Sequence, residues 1–181
     1  MTKIAVFVGS LREDSLNKKL AKNLEEMAPE GVDFDYIDLN LPLFNQDLEA
    51  NYPAEAKKVK EQVEAADGVL FVTPEYNRSV PGVLKNAIDW ASRPWGTNSF
   101  AHKPTGIVGA SGGPVGTAVA QSHLRGICGF LDVKFMSQPE LYFGGATEKF
   151  DADGKVIGES REYVQRYIDT FAAWVRKEEN I

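Results

Sequence analysis

Cysteine is almost absent: the 181 residues contain one, Cys128. A single thiol excludes an intramolecular disulfide and any CxxC redox or zinc motif, and it fits a reducing compartment. Cys128 itself reads as a small core residue. Histidine is nearly as scarce, with His102 ahead of a strand and His123 inside a helix. Both read as structural or solvated rather than catalytic, and no metal ligand set is legible. Positive charge is in deficit, with 20 Lys and Arg against 26 Asp and Glu and a net charge of −6. That argues against nucleic acid as a partner, because phosphate backbones are held by basic faces. Nothing approaches the roughly 18 consecutive apolar residues of a membrane span. No basic leader with an apolar core precedes the first strand. The expectation is a chain with no membrane partner, working in the cytoplasm.

What is present is ordinary globular composition, 43% hydrophobic and 25% charged, at a length that suits one domain spanning 1–181. The stretch that organises the rest is Lys3–Leu20, KIAVFVGSLREDSLNKKL. Ile4–Val8 is apolar throughout and reads as a central strand. It ends in a polar loop that turns directly into a helix. In that loop Gly9 permits a sharp turn, Ser10, Ser15 and Asn17 offer neutral donors, and Arg12 offers a forked cation suited to phosphate oxygens. The helix aims its free N–H groups and positive dipole end at the same place. An anion site at the end of the first strand is the expectation. A plain N-cap beside a solvated arginine is the alternative reading of the same residues.

Further along, Leu16, Leu20, Leu24 and Met27 recur at helical spacing. Val32–Leu39 alternates as an edge strand does. Leu41–Phe44 is an apolar loop that must cover core or a partner. Ala54–Ala66 reads as a helix and Gly68–Val72 as a second central strand. A polar loop, Thr73–Gly82, follows, with Pro81 placed as the first residue of the next helix. Arg93–Lys103 is a long aromatic loop. Pro104–Ala110 is the fourth strand, Thr117–Ile127 a helix and Leu131–Met136 an outer strand. Ala146–Gly158 reads as a surface excursion, and Glu159–Lys177 as a closing amphipathic helix. Five strands alternating with five helices predict a doubly wound α/β fold. The sheet is expected to be flavodoxin-like, a parallel sheet of order 2-1-3-4-5 with helices on both faces.

Several nucleotide-binding motifs are missing. There is no Gly-Lys-Ser/Thr of a phosphate-binding Walker loop. Gly9-Ser10-Leu11 fails the dinucleotide fingerprint at its second glycine. Gly9-Ser10 and Thr73-Pro74 stand where a phosphoacceptor receiver needs acids. A phosphate loop without dense glycine suits a monophosphate, and FMN is the common monophosphate held by this architecture. Pro74-Glu75-Tyr76-Asn77 could then flank one edge of the flavin ring, and Ser111-Gly112-Gly113 could offer bare N–H donors to its pyrimidine edge. An ordinary turn ahead of a helix is the other reading of Pro74–Asn77.

Three segments, GSLREDSLNKKL, PEYNRSVPGVLKNAIDW and GASGGPVG, together resemble the NADPH-dependent FMN reductase family, the flavodoxin-like quinone, azo and chromate reductases. The resemblance covers about residues 3–143. It implies that Ser10, Arg12, Ser15, Leu16 and Asn17 form the FMN phosphate loop. It assigns Pro74, Glu75, Tyr76 and Asn77 to the flavin-ring loop, and Ser111, Gly112 and Gly113 to the flavin's other edge. Chemistry borne by the flavin needs no catalytic side chain, with NADPH or NADH as hydride donor and a small molecule as electron acceptor. The resemblance also implies a homodimer or homotetramer, with Leu43, Phe44, Trp90 and Trp95 as candidate interface residues. Arg78 is a candidate contact for cofactor or substrate, or a solvated loop arginine. A flavodoxin-type electron carrier without its own NAD(P)H turnover, and an interaction module without a working site, are the competing readings.

Overall fold

The computed structural model describes residues 1–178. One face of every central strand feeds one core and the other face feeds a second, which is why these strands read as continuous apolar runs rather than alternating ones. Strands β1 (Thr2–Val8), β3 (Gly68–Val72) and β4 (Pro104–Ala110) form the centre, with β2 (Val32–Tyr36) outside β1. The order is β2-β1-β3-β4 and onward, all parallel, with Ile4 opposite Gly68 and Val69 opposite Thr105. Ile4, Val6, Leu70 and Val72 face a core closed by α1 (Leu16–Glu26) and α5 (Ser160–Glu178). Ala5, Phe7, Val69 and Phe71 face the core closed by α2 (Ala54–Ala65), α3 (Gly82–Ala91) and α4 (Ala118–Phe130). The flavodoxin-like order and the helices on both faces are as expected.

The outer edge differs from the expected single strand at 131–136. Two short strands share it: β5 (Lys134–Phe135) pairs with the start of β4, and β6 (Leu141–Phe143) pairs with its end. Pro139 lies between them, and a proline has no N–H to give the ladder. Pro81 caps α3 from outside instead of opening it, and α4 runs on to Phe130, three residues past the expected end. The segment 146–158 is more than a surface excursion. Ala146 and Val156 are buried, and Asn23 of α1 donates to the Gly154 carbonyl and accepts from the Val156 N–H, both at 2.8 Å.

Trp90 is not an interface residue. It is fully buried, its indole N–H donates to the Pro42 carbonyl at 2.7 Å, and the rings of Phe44 and Tyr52 pack edge-on against it at 4.9 Å. The apolar 41–44 loop therefore covers α3, with the Asn86 amide tied to the Pro42 carbonyl and the Phe44 N–H. Leu43 and Trp95 do stay exposed, at 82% and 77%. Gly106 is glycine because a Cβ there would stand 2.6 Å from the Tyr167 hydroxyl and 2.9 Å from the Phe171 ring, the side chains by which α5 seats on β4.

Cys128 is the core residue expected, fully buried, and desolvation pushes its thiol up to about 12. A thiolate is the reactive form. An aromatic disulfide reagent at neutral pH is accordingly expected to leave native protein unlabelled and to titrate one thiol after denaturation. Labelling of the native state at a free-thiol rate would contradict the buried placement.

Candidate functional site

The chain reverses direction of progress between β1 and β3, β2 lying on one side of β1 and β3 on the other. In parallel sheets that switch point opens a crevice at the carboxyl ends of the strands. Three loops meet there: 9–15 after β1, 73–81 after β3 and 111–117 after β4. Their bases are stitched together, since the Gly9 N–H donates to the Val72 carbonyl and the Thr73 N–H to the Val108 carbonyl, both at 2.9 Å. A Cβ on Gly9 would sit 3.0 Å from the Pro74 ring. The β1 and β3 loops therefore touch, and Gly9 is the residue that permits it.

In the β1 loop, Ser15 caps α1. Its hydroxyl oxygen accepts from the Asn17 and Lys18 N–H groups at 3.2 and 3.4 Å, which leaves the hydroxyl proton available. The Ser10 hydroxyl accepts from the Arg12 N–H at 3.3 Å. The Asn17 side chain reaches β4, donating to the Ala110 carbonyl at 2.9 Å and accepting from the Ala110 N–H at 2.8 Å. That double bond fixes the start of α1 to the end of β4. Leu16 is half-buried behind the cap. Arg12 is exposed and, among the described residues, its guanidinium pairs with no carboxylate. Asp14 is occupied by Lys19, whose hydrogen bond and charge hold its carboxyl below the usual range, with a smaller pull from Arg12. The loop thus keeps an unspent cation at a helix N-terminus, with one of its two acids, Asp14, already paired to Lys19. A groove of about 410 Å³ runs from this loop toward the end of β2, past Ser10, Lys18, Lys22 and Tyr36.

The β3 loop ends in a two-residue hairpin. Tyr76 and Ser79 exchange backbone bonds of 3.1 and 3.0 Å, and the central residues Asn77 and Arg78 are both left-handed, at φ 49° and 61°. That is the backbone of a type I′ turn, in which asparagine is at home and an arginine is strained. Pro74 is buried, and Tyr76 and Asn77 are exposed at the rim. The Glu75 side chain is engaged within the protein. One carboxylate oxygen accepts from the Val119 and Ala120 N–H groups at 3.0 and 3.2 Å, and the other from Arg78 at 3.2 Å. Glu75 is thus the side-chain cap of α4 and locks the β3 loop to the β4 loop. Arg78 is paired rather than free.

The β4 loop folds around Ser111, whose hydroxyl donates to the Gly113 carbonyl at 2.9 Å and accepts from the Gly116 N–H at 3.1 Å. Gly112 and Gly113 are exposed, and among the described residues neither N–H has a partner in the chain. Two adjacent, unpartnered donors suit a planar heterocycle edge with carbonyl oxygens. Beside the β3 loop, the His123 ring nitrogen Nδ1 lies 3.1 Å from the Ser79 hydroxyl. No spacing pattern links residues 44 apart, so sequence reasoning did not pair them. His102 lies beside Asp132 at 3.3 Å, at the other end of the sheet. A larger concavity, about 540 Å³ between Phe44, Trp95 and Phe130, is also at that far end, away from the three loops. The switch-point geometry, not cavity size, locates the site.

The model of the family described as NADPH-dependent FMN reductase matches residues 2–148. The chain belongs to this family. It is 53% identical over 176 residues to a 2-hydroxy-1,4-benzoquinone reductase of Burkholderia sp, covering 96% of each chain. A quinone reductase of Pseudomonas putida is 46% identical, over 96% of this chain and 94% of its own. Among solved structures, the flavoenzyme NAD(P)H:(acceptor) oxidoreductase FerB of Paracoccus denitrificans superimposes with a TM-score of 0.93 at 42% identity, covering 98% of this chain and 99% of its own. The residues of this FMN reductase family member fit the cofactor: an unpaired arginine and a helix N-terminus suit a phosphate, and the free Gly112 and Gly113 donors suit a flavin edge. Among the described residues no helix is long and apolar enough to cross a membrane.

Proposed function

We propose that this protein is an FMN-dependent NAD(P)H:quinone oxidoreductase. The observation that carries the reading is the division of labour among three adjoining loops. Arg12 and the start of α1 are suited to a phosphate after β1, while the unpartnered Gly112 and Gly113 donors after β4 are suited to a heterocycle edge. Tyr76 and Asn77 form the rim between them, and Glu75 keeps the β3 and β4 loops at a fixed separation. Bound FMN supplies the hydride and electron chemistry. The chain's own residues bind and orient the flavin, and their oriented N–H dipoles favour negative charge at its pyrimidine edge. The family match and the quinone-reductase names of relatives at 46% to 53% identity support a quinone as acceptor. The exposure of Leu43 and Trp95 supports assembly as a homodimer or homotetramer. A single domain, and a cytoplasmic setting with ready NAD(P)H, complete the reading.

The test is an anaerobic absorption spectrum of the purified protein before and after NADPH, then after 1,4-benzoquinone. Flavin bands that bleach with NADPH and return with the quinone are the expected result. Bands untouched by NADPH or NADH would instead make the protein an electron carrier. A protein that neither carries nor takes up FMN would overturn the reading altogether.

A further inference from the structure

Reduction of a quinone to a hydroquinone consumes two electrons and two protons. NAD(P)H delivers both electrons and one proton as a hydride, so the second proton must come from the site or from water. A side chain suited to supply it can hold and release a proton, reaches solvent for reloading, and touches a group at the site's rim. The Ser79–His123 pair has these features. Ser79 closes the Tyr76–Ser79 hairpin at the rim of the β3 loop, and His123 sits exposed on α4 with Nδ1 3.1 Å from the Ser79 hydroxyl.

We propose that His123, acting through the Ser79 hydroxyl, delivers the proton that completes reduction of the acceptor. The inference rests on the quinone oxidoreductase reading above. In the step, the Nδ1–H bond of the protonated His123 ring breaks as the Ser79 oxygen takes that proton, which leaves a neutral imidazole. The Ser79 O–H bond breaks in turn as its proton passes to the acceptor oxygen. Histidine and serine neither gain nor lose electrons, and the exposed imidazole regains a proton from solvent between turnovers.

The neighbouring groups are committed elsewhere. From the β3 loop, the Glu75 carboxylate accepts from two α4 N–H groups and from Arg78. On α4, Arg125 turns to Glu140 at 3.5 Å, and on α3, Lys85 and Asp89 pair with each other at 2.7 Å. The His123 ring is exposed, and among the described residues its one hydrogen bond is to Ser79.

Ferricyanide accepts electrons without a proton, which separates the proton step from everything before it. FMN-loaded wild type, His123→Gln and Ser79→Ala are compared with NADPH as donor and either 1,4-benzoquinone or ferricyanide as acceptor. Both variants are expected to lose about 100-fold in benzoquinone turnover, and to keep ferricyanide turnover and the rate of anaerobic bleaching by NADPH. A readout independent of turnover comes from NMR. The chain has two histidines, so hydroquinone added to the FMN-loaded protein should move the His123 ring resonance and leave that of His102 in place. Equal loss with both acceptors, unchanged benzoquinone turnover, or a stationary His123 resonance would each overturn the proposal. Wild type that NADPH fails to bleach would instead defeat the underlying reading.

Discussion

Asn17→Leu is expected to cost about 2 to 4 kcal/mol of folding stability, because it strands both backbone groups of Ala110 without a partner. The amide that satisfies them is buried, at 3% exposure, and bridges 93 residues at 2.8 and 2.9 Å. Leucine nearly preserves the volume, so lost packing contributes little, and the loss belongs to two unsatisfied polar groups in a dry site. Against a native stability of about 5 to 15 kcal/mol for an ordinary domain, this is a large fraction. Urea unfolding checks it, with a lowered midpoint at an unchanged slope as the expected signature. Ala110 is also the residue immediately before Ser111, so the same substitution should loosen the β4 loop and weaken FMN uptake. A midpoint equal to that of wild type would show that the bridge is not what holds α1 to β4.

Arg12→Ala is expected to act the opposite way, leaving the fold intact and emptying the site. The side chain is exposed, and among the described residues it supports no other group, so urea stability without cofactor should be unchanged. Charge-assisted bonds to a phosphate contribute about 1.5 to 3 kcal/mol. FMN affinity should therefore fall about 10- to 100-fold, read by quenching of flavin fluorescence on titration. Riboflavin lacks the phosphate and should bind both proteins alike, which isolates the contact. The wild-type advantage should also shrink as salt rises, since exposed charges are screened. Equal FMN affinity in the two proteins would remove the phosphate from the β1 loop.

The local patterns in the chain carried their information because they are repeated. Ile4–Val8, Gly68–Val72 and Pro104–Ala110 are apolar at nearly every position, and only a strand covered on both faces uses such a run. The structure places all three at the centre of the sheet. The loops that follow them were legible for the same reason, as breaks in that pattern filled by glycine and polar residues. Single polar pairings have no repeat to reveal them. Nothing near Glu75 in the chain shows that its carboxylate will cap α4, because the helix it caps begins about forty residues later and arrives only through the crossover. Asn17 reads as a loop donor until α1 docks and turns it toward β4. Trp90 reads as a candidate interface residue until the 41–44 loop closes over it.

The amino-acid sequence determined the layer architecture, the family and the three segments that meet at the switch point, since each follows from hydrophobic periodicity and from motifs that are continuous in the chain. Tertiary structure alone decided what each polar side chain does there. It spent Asn17 on Ala110 and Glu75 on α4, left Arg12 and the Gly112 and Gly113 N–H groups unspent, and put Ser79 against His123. The physical reason is that a hydrogen bond needs its two partners within about 3 Å, and for residues distant in the chain that separation is set by how the helices dock on the sheet.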